Sequence, residues 1–301
     1  MSNGKVVLIT GAGTGFGRLS AETLANHGYT VFAGIREVDG RNAATAAELK
    51  AHASGRIHPV ELDVTSDASV SAAIAEILSE GGGRLDVVVN NAGVATFGLA
   101  EAFTPAQLQA LFEVNVIGPQ RVNRAALPTM RAQGSGLLIQ ITSGLGRIIF
   151  PVMGIYSASK FAVEALAEAY RYELAPIGVD SVIIQPGAFP TGILTRTMYG
   201  VEGERAKGYG DNAALPEIIG QAMGGMLNGP NPPDPQDVAD AVLRLCETPT
   251  GERPLRTVVD NLSGDGPRAI NNLTDQIQAG MFTGMGMGGL LQPRGGDKPA
   301  S

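Results

Sequence analysis

The sequence predicts an α/β fold, a single doubly wound parallel sheet with helices on both faces. Two observations predict it. Short apolar runs rich in β-branched residues recur near residues 5–10, 30–35, 57–62, 85–89, 137–142, 179–185 and 255–260, with helical patterns between them. The first run leads directly into a glycine-rich turn and a helix, which is the order of a dinucleotide-binding unit. Right-handed crossovers are expected between such strands. The 301 residues suit one domain of this kind with a tail. The expected organisation is a domain over residues 1–262 that includes a lid at 187–235, then a partly flexible extension at 263–301.

The first strand is Lys5-Val6-Val7-Leu8-Ile9-Thr10. It runs into Gly11-Ala12-Gly13-Thr14-Gly15-Phe16-Gly17, and Leu19, Thr23 and Leu24 then share one side of a helical pattern. Glycines permit a tight turn and let backbone N–H groups approach a pyrophosphate, while the helix N-terminus favours negative charge. The spacing of Gly11, Gly15 and Gly17 departs from the commoner Gly-x-Gly-x-x-Gly, although Gly11 and Gly13 satisfy its first half. Strand, glycine loop and helix together describe a Rossmann fold.

The second strand, Thr30 to Ile35, is followed by Arg36. A carboxylate at this strand end binds a ribose 2′-OH and selects NAD, whereas an arginine accommodates the 2′-phosphate of NADP. Arginine's planar fork suits phosphate, and Thr14 offers a further hydroxyl. NADP is therefore the expected cofactor, with NAD as runner-up because Glu37 and Asp39 stand close enough in sequence to pair with Arg36 or repel a phosphate.

The strand at Leu85 to Val89 leads to Asn90-Asn91-Ala92-Gly93, and the one at Leu137 to Thr142 leads to Ser143. Ligands of such sheets bind outside the C-terminal strand ends, where Asn90 and Ser143 fall. Tyr156 and Lys160 lie four residues apart in Tyr156-Ser157-Ala158-Ser159-Lys160 and share a helix face. A free tyrosine titrates near ~10, so acid–base work near neutral pH needs roughly 4 kcal/mol of preference for phenolate. One positive charge at about 4 Å, at an effective dielectric near 20, supplies about that much. Lys160 is the candidate charge.

With these residues the chain resembles the short-chain dehydrogenase/reductase family from about Lys5 to Asp260. The markers fall in family order: Thr10 with Gly11, Gly15 and Gly17; Asp63 in Leu62-Asp63-Val64-Thr65; Asn90 to Gly93; Asn115; Ser143; Tyr156 with Lys160; and Pro186-Gly187 with Thr191. Together, at family spacing, they are highly specific. The resemblance implies a catalytic tetrad of Asn115, Ser143, Tyr156 and Lys160. It makes Tyr156 the acid/base and Ser143 the partner of the substrate oxygen. Lys160 lowers the tyrosine pKa and holds the nicotinamide ribose, and Asn115 positions a relay water. The implied cofactor contacts are Gly11, Thr14, Gly15, Phe16, Gly17, Arg36, Asp63, Val64, Asn91, Ala92, Gly93, Tyr156, Lys160, Pro186, Gly187 and Thr191. Read alone, Asp63 equally suits an N-cap for the helix after Thr65, and Asn115 a satisfied buried amide.

From Pro186 to about Pro235 the pattern breaks, with a short helix expected only at Leu215 to Leu227. Long irregular segments in compact domains serve as lids or are disordered, and in the family this one binds substrate. It offers Phe189, Ile193, Leu194, Met198, Tyr199, Met223 and Met226. The expected substrate pocket comprises Thr96, Phe97, Leu145, Phe150, Met153 and Phe189, which points to a mainly hydrophobic ketone or alcohol. The stretch from Thr96 to Thr191 looks most like the steroid- and retinol-type branch. Residues 270–282 read as helical, and the Gly/Met run after Met281 as flexible. In the family the long helices near 104–132 and 155–176 pair between subunits, implying a homodimer or homotetramer.

Composition excludes other classes. The net charge is −7 and no basic patch is evident, so nucleic acid is not an expected partner. No apolar run reaches about 20 residues and the opening does not read as a signal peptide, so no membrane insertion is expected. Cys246 is the single cysteine, which fits a reducing cytoplasm. His27, His52 and His58 are scattered, so no metal site is expected. The expected function is hydride transfer between NADP(H) and a ketone or secondary alcohol. The alternatives are a non-catalytic dinucleotide sensor and an epimerase or dehydratase with the same cofactor.

Overall fold

The structure is a computed structural model that describes residues 4–191, 197–227, 229–230 and 232–291. Ile193 and Leu194 of the expected lid, and the last ten positions of the expected extension, lie outside the described residues.

Seven parallel strands form the central sheet: β1 (Val6–Thr10), β2 (Thr30–Ile35), β3 (Ile57–Glu61), β4 (Val87–Asn90), β6 (Gly136–Ile141), β7 (Val179–Pro186) and β9 (Arg256–Val259). Their order is β3-β2-β1-β4-β6-β7-β9. The order reverses between β1 and β4, which opens a crevice at their C-terminal ends. A separate parallel pair joins β5 (Thr96–Phe97) to β8 (Met198–Tyr199).

Helices cover both faces because alternate strand residues are apolar on both sides. In β1, Val7 and Ile9 pack under α1 (Gly15–Asn26) and α8 (Gln236–Glu247), with Leu49 of α2 (Ala43–Lys50). Val6 and Leu8 face α3 (Asp67–Glu80) and α5 (Gly118–Gln133). The remaining helices are α4 (Pro105–Phe112), α6 (Gly154–Leu174), α7 (Leu215–Leu227) and α9 (Asp265–Gly284). Among the described residues no helix is long and apolar enough to cross a membrane.

Two elements differ from the sequence expectation. The long helix expected at 104–132 is broken by a π-helical turn at Glu113–Ile117 between α4 and α5. The lid is more regular than its glycines and prolines suggest. It contains β8, 3₁₀ turns over Gly203–Ala214 and the expected α7.

Candidate active site

The crevice begins at the glycine loop. Gly11 and Gly15 hold φ of +66° and +56°, a left-handed region that favours glycine. A Cβ on Gly17 would lie 2.4 Å from Asn91 Nδ2 and 2.5 Å from the Gly11 carbonyl oxygen. A Cβ on Gly13 would meet only ordinary contacts, the nearest at 3.6 Å. Gly11, Gly15 and Gly17 are therefore the required set, and Gly13 is not. Thr14 precedes α1 and its side chain makes no capping bond. Thr191 lies beside Gly15. This cradle at a helix N-terminus fits a dinucleotide pyrophosphate.

Thr10 ties the loop to β4. Its Oγ1 accepts hydrogen bonds from the N–H groups of Asn91 (3.0 Å) and Ala92 (2.9 Å), and Asn91 Nδ2 donates to the Thr10 carbonyl at 2.9 Å. On the far side, a Cβ on Gly187 would fall 2.4 Å from Asp260 Cγ. Pro186 ends β7 just before it.

At the end of β2, Arg36 is exposed. The ion pairs of the described residues place Glu37 on Arg41 at 3.2 Å, not on Arg36. The N–H groups of Glu37 and Val38 donate to the Glu61 carboxylate. Asp63 does not cap α3, because Ser66 holds that position. Instead Asp63 Oδ1 accepts from the Thr65 N–H and hydroxyl at 2.9 and 2.8 Å. Burial pushes its carboxyl up, but these bonds and the charges of Arg36 and Arg121 outweigh it and hold the pKa low. Val64 is buried against Gly118.

The four expected tetrad residues converge beyond this. Asn115 sits in the π turn, buried, with Oδ1 accepting from the Val94 N–H and Nδ2 donating to the Val94 carbonyl, both at 2.9 Å. Nδ2 also donates to Ser159 Oγ at 3.0 Å. The same amide borders Gly93, whose added Cβ would lie 3.4 Å from Asn115 Oδ1 and 3.8 Å from Lys160 Nζ. Such π turns are frequent at functional sites. Ser143 follows β6 in extended backbone and Tyr156 and Lys160 lie in the first two turns of α6, all three buried.

The electrostatics differ from the sequence expectation. Burial pushes the Tyr156 phenol up to about 12, and a hydrogen bond with Ser143 pulls it partly back. Lys160 does not bring it down. Its ammonium donates to the Ile141 carbonyl at 3.1 Å and stands 5.6 Å from the Tyr156 ring centroid. Burial also drops Lys160 to about 8, partly offset by the Glu164 carboxylate. At neutral pH the phenol therefore carries its proton.

Of the expected pocket, Phe97, Leu145 and Met153 cluster with Ala95 around Tyr156. Thr96 is buried beside them in the β5–β8 pair. Tyr199 of the lid packs edge-on against Phe97, 6.4 Å between centroids. Phe150 is 42% exposed and does not join this cluster. Nor does Phe189. The chain leaving β7 turns back toward the glycine loop, which places Phe189 in the core edge-on to Phe16 at 5.3 Å. Val152, just before Tyr156, holds φ of +60°. That conformation is an outlier for a β-branched residue, and its carbonyl accepts from the Gly98 N–H at 2.9 Å.

Residues 5–199 match the short chain dehydrogenase family. The chain belongs to this family. It is 33% identical over 217 residues to 3-ketodihydrosphingosine reductase of Bacteroides thetaiotaomicron, covering 72% of this chain and 70% of that one. A short-chain dehydrogenase from Streptomyces avermitilis superposes with a TM-score of 0.74 at 32% identity, over 94% of this chain and 99% of that one. The 3-ketoacyl-(acyl-carrier-protein) reductase of Brucella melitensis, complexed with NADH, gives 0.72 at 27% identity over 88% and 100%. An alcohol dehydrogenase from Thermococcus sibiricus, complexed with 5-hydroxy-NADP, gives 0.65 at 26% over 86% and 97%. This short-chain dehydrogenase is thus an oxidoreductase of a family that works with a nicotinamide cofactor and acts on CH–OH or C=O groups.

Sequence reasoning singled out neither Asn123, which accepts from Asn90 Nδ2 at 2.8 Å, nor the Ser159 and Glu164 side chains. A signal was present for Glu164, a carboxylate one helical turn beyond Lys160 on the same face.

Proposed function

We propose that this short-chain dehydrogenase is an NADP-dependent carbonyl reductase, reversible as an alcohol dehydrogenase, with Tyr156 as its acid/base and a mainly apolar ketone as substrate. The observation that carries this reading is the buried Tyr156 phenol, hydrogen-bonded to Ser143 and set within an apolar cluster. A proton donor beside a second hydroxyl is what a ketone oxygen needs as it becomes an alkoxide.

The residues that would hold the cofactor are Gly11, Thr14, Gly15 and Gly17 with the α1 N-terminus at the pyrophosphate, Phe16 beside them, and Asp63 and Val64 toward the adenine. Arg36 would take the 2′-phosphate and Lys160 the ribose, and Asn91, Ala92, Gly93, Pro186, Gly187 and Thr191 would contact the rest of the cofactor. The bound cofactor supplies or accepts the hydride. Ser143 orients the carbonyl oxygen, Tyr156 gives it the proton, and Lys160 keeps a positive charge behind the phenol. Asn115 holds the Val94 backbone and the π turn in place. In the reverse direction Tyr156 takes the proton back.

Arg36 supports NADP, because Glu37 is engaged by Arg41. NAD remains the runner-up, given that the related Brucella reductase carries NADH. The names of that reductase and of the Bacteroides relative both describe ketone reduction, which supports a ketone here. The apolar lining accords with a bulky substrate of steroid or retinol type. Ile117, Phe161 and Leu166 are exposed along the long helices and support a homodimer or homotetramer. A cytoplasmic setting, read from the lone buried Cys246, and the division at residue 262 complete the proposal.

The test is a titration of purified protein with NADPH and NADH followed by nicotinamide fluorescence, then turnover on a panel of apolar ketones. Tight NADPH binding with ketone-dependent oxidation is expected. Binding of neither dinucleotide sinks the reading.

A further inference from the structure

We propose that Glu164 is a positioning residue for this reaction, and that the C-terminal helix α9 holds it in place through a chain of polar side chains that runs from the buried carboxylate out to the helix. The proposal rests on the reading above. Glu164 is buried one turn beyond Lys160. Its Oε1 accepts from the Thr142 hydroxyl at 3.0 Å and from Gln185 Nε2 at 2.6 Å. Thr142 stands between two parts of the site: Ile141, whose carbonyl receives the Lys160 ammonium, and Ser143. A single carboxylate thus fixes the strand end that carries one site residue and anchors another.

The other oxygen leads outward. Arg256 Nε donates to Glu164 Oε2 at 3.1 Å, and the same guanidinium reaches Glu168 and then Asp275 of α9 at 3.4 Å. In parallel, Asn271 of α9 donates to Gln185 Oε1 at 2.7 Å. Arg147, four residues past Ser143, donates to Thr274 at 2.6 Å. A helix docked through one buried and two part-buried polar contacts has little freedom in how it seats, since leaving the buried groups unpaired is costly. The charged groups facing Glu164 are Lys160 on α6, Arg147 after β6 and Arg256 on β9, and Arg256 in turn holds Glu168 of α6 and Asp275 of α9.

The experiment compares wild type with Glu164→Gln and Asp275→Ala, the latter altering a half-exposed side chain. Expected is a kcat loss of about tenfold or more in Glu164→Gln and a smaller loss in Asp275→Ala, with ketone KM unchanged. The alkaline limb of the Glu164→Gln profile moves to lower pH, because Lys160 loses a neighbouring anion. An unmoved limb or an unchanged kcat overturns the proposal. If Glu164→Gln does not fold, Asp275→Ala alone decides, and an unchanged kcat overturns it. If no substrate turns over at all, the functional reading has failed separately. Amide exchange of residues 141–146 then decides, with faster exchange in Asp275→Ala expected and unchanged exchange overturning it.

Discussion

Asn115 grips Val94 with both ends of its amide, accepting from the Val94 N–H and donating to its carbonyl at 2.9 Å each. This pairing takes the place of a strand partner for the chain that leaves β4. It also explains the π turn. One extra residue in the helix swings Asn115 inward, where a regular α4–α5 helix would have set its amide elsewhere.

Asn115→Ala leaves the part-buried Val94 N–H and carbonyl without these partners. The expected cost is about 1–3 kcal/mol of stability, read by denaturant unfolding. Turnover falls with it, because Gly93 borders both this amide and the Lys160 ammonium. Asn115→Asp recovers the acceptor but not the donor, and is expected to recover only part of both losses. Full stability in Asn115→Ala would contradict this role.

The glycine loop gives a paired prediction. Gly17→Ala drives a methyl to 2.4 Å from Asn91 Nδ2 and against the Gly11 carbonyl. Backbone on one side cannot give way, so an overpacking cost of roughly 1–3 kcal/mol is expected, with dinucleotide binding weakened. Gly13→Ala meets Thr45 at 3.6 Å and is expected to bind as wild type does. Fluorescence titration of both variants separates them. Equal behaviour would mean that the loop is not read by Gly11, Gly15 and Gly17.

The sheet and its crevice were legible because short apolar runs rich in β-branched residues and a glycine turn are local signals. Each strand predicted from the sequence lies within two residues of its observed bounds at the start. The π turn was not legible, since Glu113 to Ile117 continue an unbroken helical pattern and only the tertiary pull of Val94 on Asn115 distinguishes them. Phe189 was misplaced for a similar reason. Its sequence neighbours describe a lid, but the chain direction after Gly187 delivers it to Phe16. The direction of the Tyr156 shift also escaped the sequence, because a four-residue spacing sets a shared face and not the orientation of the ammonium, which Ile141 captures.

Arg36 is the cofactor test. Its removal by Arg36→Ala takes away a charged hydrogen-bonding partner for a 2′-phosphate, worth about 1.5–3 kcal/mol. That corresponds to a roughly 10–100-fold weaker NADPH complex, with NADH binding unchanged. The Glu37–Arg41 pair is exposed on both sides and such pairs contribute little, so Arg41→Ala should release Glu37 toward Arg36 and weaken NADPH to a lesser degree. Equal losses for both dinucleotides in Arg36→Ala would place the 2′-phosphate elsewhere.

Lys160 predicts opposite pH trends for activity and stability. Burial lowers its pKa from 10.5 to about 8, so between those values the unfolded chain holds a proton that the folded chain has released. Stability from this residue therefore rises with pH across that window, and the full cost of burying the charge applies below it. Activity runs the other way. The phenol keeps its proton to about 12, so it is loss of the ammonium that turns off ketone reduction, and kcat falls as pH rises through about 8. Unfolding measured beside a Lys160→Met variant isolates the stability part, with the difference moving in favour of wild type as pH rises. A profile of kcat that stays flat until the phenol itself titrates would assign no role to the Lys160 charge.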